Sequence, residues 1–150
     1  MRINGVMVTG AVVAFVAGMS LTTGTAAGAE EKKCSTPVLT SVPVHLTDPG
    51  LWSYTYRVTW CVEEGTITDI THVVTHEEYS STCVWVANME ESDKDAPDGN
   101  GAREAFNMAE LSCKNAAGTQ GSVNPWGAIL VRPDGTSDVL RKGIGDVIQA

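Results

Sequence analysis

The chain has 150 residues, 10 Lys+Arg against 18 Asp+Glu, three His and a formal net charge of −8, with 43% hydrophobic residues. That size suits one domain and is short for two. Its acidity opposes binding to nucleic acid or an anionic membrane surface and favours solubility, cations or basic partners.

Residues 1–29 read as a secretory signal peptide. Arg2 follows the initial Met1, and an apolar run from Val6 to Leu21 is broken only by Thr9, Gly10, Gly18 and Ser20. Ala27-Gly28-Ala29 then precedes Glu30, an A-x-A-like end. Cleavage is expected after Ala29, with Ala27 the nearby alternative. The run falls short of the ~20 apolar residues of a spanning helix. Residues 30–150 are therefore expected to form a single secreted β-rich domain, free of the membrane after cleavage. Loss of Arg2 with the leader leaves nine basic and 18 acidic residues, a net charge of −9.

All four cysteines, Cys34, Cys61, Cys83 and Cys113, lie in the exported part. An even count there implies two disulfides, and no pair has the C-x-x-C spacing of a zinc or redox site. Of the three connectivities, Cys34–Cys61 with Cys83–Cys113 is favoured, each tying an irregular flank to a strand. Closing loops of about 30 residues would stabilise by roughly 3–4 kcal/mol each.

Ser41 to Leu46 is a candidate first strand, with Pro43 marking an edge. Asp48-Pro49-Gly50 is a turn. Leu51 to Val62 alternates strictly: Trp52, Tyr54, Tyr56, Val58, Trp60 and Val62 on one face, Ser53, Thr55, Arg57 and Thr59 on the other. That is a half-buried strand with a heavy aromatic face. Ile67 to His76, rich in β-branched residues, is its returning partner. A three-residue loop at Glu64–Thr66 would set Ile70 opposite Trp60 and Val74 opposite Tyr56. A two-residue loop would put Asp69 opposite Trp60 and bury a charge.

Tyr79 to Ala87 is expected as the third strand of this meander. Asn88 to Gly101, with five acids, one Pro and two Gly, reads as a long exposed loop. Ala102 to Lys114 reads as the one helix, since Ala102, Ala105, Phe106, Ala109 and Cys113 recur at helical spacing. A strand is the runner-up, because Phe106 and Met108 also alternate. Gly118 to Asn124 is loop, Trp126 to Arg132 and Ser137 to Lys142 a hairpin, and Gly143–Ala150 a source of a short edge strand. The pattern predicts a mainly β fold: a small antiparallel β-sandwich or barrel with one short helix and two disulfides.

Three groups of residues could carry chemistry. His72 and His76 would share a metal only on a helix. Val73, Val74 and Thr75 between them favour a strand, on which they stand about 13 Å apart. They are expected as strand residues opposite Val58 and Tyr54. Asp93, Asp95 and Asp98 precede Gly99-Asn100-Gly101, and carboxylates near glycine turns can hold Ca²⁺. Pro97 falls on the fifth position of an EF-hand pattern, so no cofactor is expected and calcium is the one ion to test. Aromatics at strand spacing are usually core. Trp52 and Trp126 sit at strand ends and are the two candidates for ligand contact. Nucleophile motifs in a recognisable context are absent.

In overall look (a leader rich in Ala, Gly, Thr and Val, four cysteines, a small acidic body) the whole chain is similar to small proteins exported by high-GC Gram-positive bacteria. The expected function is a secreted, disulfide-stabilised binding module rather than an enzyme, with the acidic stretch Glu90–Asp98 and the strand-end aromatics as its surface and an extracellular protein or a cell-wall glycan as its partner. A secreted protease inhibitor is the alternative, with Lys94 and Arg103 flanking the acidic stretch. An extracellular hydrolase ranks last.

Overall fold

The computed structural model describes residues 34–97 and 99–149. The leader read in residues 1–29 lies outside them. Among the described residues there are strands and turns and no helix, arranged as two antiparallel sheets in a sandwich-like fold.

The first sheet holds β1 (Leu39–Thr40), β2 (Val44–Asp48), β3 (Trp52–Glu63) and β4 (Thr66–Glu78). β3 is its centre. β4 flanks one side, while β1 and β2 share the other in succession, opposite Thr59–Trp60 and Trp52–Tyr56. Pro43 has no N–H to give a ladder, so the edge breaks there. Ser41 bridges the break: its N–H donates to the Val58 carbonyl and its Oγ accepts from the Val58 N–H, both at 2.9 Å.

The second sheet holds β5 (Cys83–Asp95), β6 (Arg103–Lys114), β7 (Gln120–Val123), β8 (Pro125–Val131), β9 (Ser137–Ile144) and β10 (Val147–Gln149). Its order is β10-β9-β8-β6-β5, with β7 continuing the line of β8 beside β6.

Between the sheets lies the aromatic face of β3. Trp52, Tyr54, Tyr56, Val58 and Trp60 are all buried, and they meet Ala105, Ala109, Leu111, Ile129 and Val131. The large rings of one sheet thus meet two alanines and three aliphatic side chains on the other. The fit is tightest at Gly127, where a Cβ would stand 2.7–3.0 Å from the side-chain carbons of Val44. Hydrogen bonds also join the sheets: Tyr54 Oη to Asn107 Oδ1 (2.7 Å) within the core, Trp60 Nε1 to the Arg132 carbonyl (3.1 Å) and, at the exposed edge, the Val42 N–H to Ser137 Oγ (2.9 Å).

The pairing of β3 with β4 combines both registers considered for it. The turn is the two-residue one, Glu64-Gly65, with φ of 51° and 76°, as a tight hairpin requires. One residue later the register slips: Val62 pairs with Ile67 but Cys61 with Asp69, leaving Thr68 as a bulge. Ile70 thereby faces Trp60 and Val74 faces Tyr56, and Asp69 stays off the aromatic face.

Four expectations need correction. Ala102 to Lys114 is not a helix: Arg103–Lys114 is β6, an inner strand of the second sheet paired with β5, β7 and β8. Its inward residues are Ala105, Asn107, Ala109 and Leu111, two alanines and an amide that do not announce a strand. Asn88 to Asp95 is not loop: the acids continue β5, an edge strand that tolerates charge because one side is open to water. β5 does not extend the meander either; it leaves β4 and pairs with β6 in the other sheet. Gln120 to Val123, read as loop, is β7.

The disulfides are Cys34–Cys61 and Cys83–Cys113, with Cα–Cα distances of 5.5 and 4.0 Å. The first ties the amino-terminal flank to β3. The second joins two strands, since Cys83 opens β5 directly opposite Cys113.

Candidate functional site

Strand registers build the outer face of the second sheet, the one turned away from the aromatic core. One row across it reads Ile148, Gly143, Trp126, Met108 and Glu90, from β10 to β5. The next reads Arg141, Ala128, Phe106 and Ser92. A third places Glu104 between Leu130 and Lys94.

Trp126 is fixed in place here. A Cβ on Gly143 would come within 2.5–2.7 Å of two indole carbons, so the ring rests where only glycine leaves room. Its Nε1 donates to the Gly145 carbonyl at 2.7 Å. Phe106 lies beside it, the ring centroids 6.2 Å apart and the planes tilted by 35°. Both rings are partly exposed.

Next to Phe106 is a depression of about 230 Å³ lined by Glu90, Ser92, Lys94, Glu104, Phe106 and Arg141. Glu104 is only 9% exposed. Its carboxylate is held by Arg141 Nη2 at 2.7 Å and faces Lys94 Nζ at 3.5 Å. Two carboxylates, two cations and a hydroxyl thus surround an aromatic ring, and their charges balance. Such a rim can both give and accept hydrogen bonds; its two cations pair with Glu104, and Glu90 has no ion pair among the described residues.

A second polar group lines the side of the sandwich where β4 and β5 face each other. Tyr54 Oη donates to Asn107 Oδ1, and Asn107 Nδ2 donates to Glu91 Oε1 at 3.1 Å. Tyr56 Oη lies 2.8 Å from His72 Nδ1. His76 stacks on Trp85 at 4.0 Å, nearly parallel, and Glu78 Oε1 accepts from the Trp85 N–H at 2.7 Å. Burial pushes both tyrosine hydroxyls far above the usual phenol range. Tyr54 is raised further by Tyr56 and Glu91, and Tyr56 by Glu91 and Asp93. They stay protonated donors. Burial lowers the His72 pKa, with Glu91 and Asp93 opposing that shift. The arrangement is a lock between strands: each hydroxyl is committed to a protein partner.

The candidates read from sequence fall in different places. Trp52 is 1% exposed and part of the core, so it has no surface to offer a ligand. Trp126 lies on the outer face just described. Asp93 and Asp95 stand on β5 and both pair with the Arg103 guanidinium, Asp95 Oδ1 lying 3.3 Å from Nε. Asp98 lies outside the described residues. Among those described, no group of three or more His, Cys, Asp or Glu is placed to hold a metal ion. Lys94 and Arg103 are strand residues in ion pairs rather than loop residues. His72 and His76 face Val58 and Tyr54 from a strand, in the expected register. Glu90, Ser92 and Lys94 lie in the acidic stretch expected as a contact surface, though on a strand rather than a loop, whereas Glu104 and Phe106 were missed in an expected helix and Arg141 in a hairpin given no role. The alternation Glu104, Phe106, Met108, Glu110 was the available signal.

No family model, no curated protein and no solved structure matches the chain.

Proposed function

We propose that the protein is an extracellular binding module that holds its partner, a cell-wall glycan in the first instance, on the outer face of the second sheet. The observation that carries this reading is Trp126, seated against Gly143, tethered through its N–H and set beside Phe106. An immobilised, partly exposed aromatic pair loses little entropy on binding. It offers ring faces to the C–H side of a sugar or to an apolar patch of a protein. The extracellular setting rests on the leader in residues 1–29 and on the two disulfides. The acidic surface agrees with partners that are neutral or basic.

Immobilising the disulfide-intact protein and exposing it to cell-wall material and culture supernatant tests the proposal. Retention of a stoichiometric glycan or protein is expected. Trp126→Ala should abolish retention while changing the melting temperature by no more than a few degrees. A many-degree fall with retention intact would make Trp126 a structural residue and end its assigned role.

A further inference from the structure

We infer that the depression beside Phe106 is a subsite for a single neutral pyranose ring. This rests on the binding-face reading above and adds a ligand class and a place. The depression is smaller than the ~300 Å³ at which pockets for drug-sized ligands begin, so it suits one ring rather than an extended molecule. Phe106 supplies the apolar surface that the C–H face of a pyranose seeks. The rim supplies both halves of hydroxyl recognition: Glu90 and Glu104 accept, Lys94 and Arg141 donate, and Ser92 does either.

Glu104 makes this rim specific. Its carboxylate is almost buried yet sits on the outer face, held from two sides by Arg141 and Lys94. A fixed carboxylate and a half-exposed guanidinium side by side match two adjacent hydroxyls, one donating and one accepting. The balance of two acids and two bases disfavours a charged ligand, and the acidic chain as a whole disfavours an anionic one. Trp126, beside Phe106 on the same face, would receive a neighbouring ring of a longer glycan.

Amide chemical shifts of the disulfide-intact, isotope-labelled protein should be followed on titration with methyl glucoside, N-acetylglucosamine and methyl glucuronide. The neutral sugars are expected to bind at millimolar levels, shifting the amides of Glu90–Lys94, Glu104–Phe106 and Arg141. Phe106→Leu, which keeps apolar cover and removes the ring, should weaken binding at least tenfold. Glu104→Gln should do the same, each with the melting temperature measured alongside. If no neutral sugar shifts these amides, or if the glucuronide alone does, the subsite is overturned. Retention of cell-wall glycan by the unaltered protein, lost in Trp126→Ala, would still leave the binding face standing in that case. Loss of both results would remove the two readings together.

Discussion

Asn107 is fully buried, an amide in a core built mainly from aromatic and aliphatic side chains. It is tolerated because both ends of its amide are used, Oδ1 by Tyr54 and Nδ2 by Glu91. Removing the phenol hydroxyl with Tyr54→Phe leaves Oδ1 without that donor. It should cost about 1–3 kcal/mol in urea unfolding. Gly127 makes a steric counterpart. Gly127→Ala forces a methyl against Val44 and should cost about 1–3 kcal/mol, and adding Val44→Ala should recover part of the loss. A fully additive double mutant would show that the two residues do not meet.

His72 gives the sign of a pH dependence. Its folded pKa is lowered by burial, so the unfolded chain takes up the proton first as the medium is acidified. Its contribution is fully present above the unfolded value of about 6.5. It is lost as pH falls through that value to the lower folded one, and levels off below it. Urea midpoints between about pH 8 and pH 5 should fall for the unaltered protein. The fall should be shallower for His72→Gln, which keeps a polar partner for Tyr56; an unchanged slope would assign the effect to other groups.

Individual strands show what could be read in advance and what could not. β3 was plain, because one face is aromatic and the other polar over its whole length. β4 followed from it, and the pairing Cys34–Cys61 with Cys83–Cys113 was read correctly, although the second joins two strands rather than a flank to a strand. β6 was obscured because both its faces carry apolar residues: Ala105, Ala109 and Leu111 inward, Phe106 and Met108 outward. Two apolar faces erase the two-residue period, and alanines at 105 and 109 then imitate a helix. The acids of β5 hid a strand because its neutralising partners, Arg103 and the Asn107 amide, come from a different stretch of chain. The candidate site was read in part: Trp126 and the acidic stretch holding Glu90, Ser92 and Lys94 were singled out, while Glu104 and Phe106 were lost in the expected helix. The β3–β4 turn carries a prediction of its own. Glu64 occupies a left-handed conformation that favours glycine or asparagine, so Glu64→Gly should raise stability by roughly 1 kcal/mol. A lower melting temperature would mean that its side chain contributes more than its backbone costs.

Across the whole molecule, pairing is antiparallel and much of it joins distant stretches of chain, as where β3 meets β1 and β6 meets β8. Such topologies fold in milliseconds to seconds rather than microseconds. Each disulfide closes a loop inside one sheet, at sequence separations of 27 and 30. Replacing Cys83 and Cys113 together by alanine should cost about 2–4 kcal/mol and leave the first sheet's cross-link intact. Unfolding followed by far-ultraviolet and tryptophan signals should then remain a single transition, since the tryptophans lie in both sheets.

The order of the strands has another consequence. Everything in the first sheet precedes Tyr79, everything in the second follows Thr82, and the main chain passes between the layers once. No cystine spans that passage. The protein is therefore two consecutive halves, each with its own staple, mated through an aromatic seam. A specific protease site placed between Ser80 and Ser81, cut under non-reducing conditions, should give two chains that still elute together. After denaturation and mixing they should find each other again. Each half would then be a conditional partner of the other, and the proposed binding face, carried wholly by the second, could be switched by supplying or withholding the first.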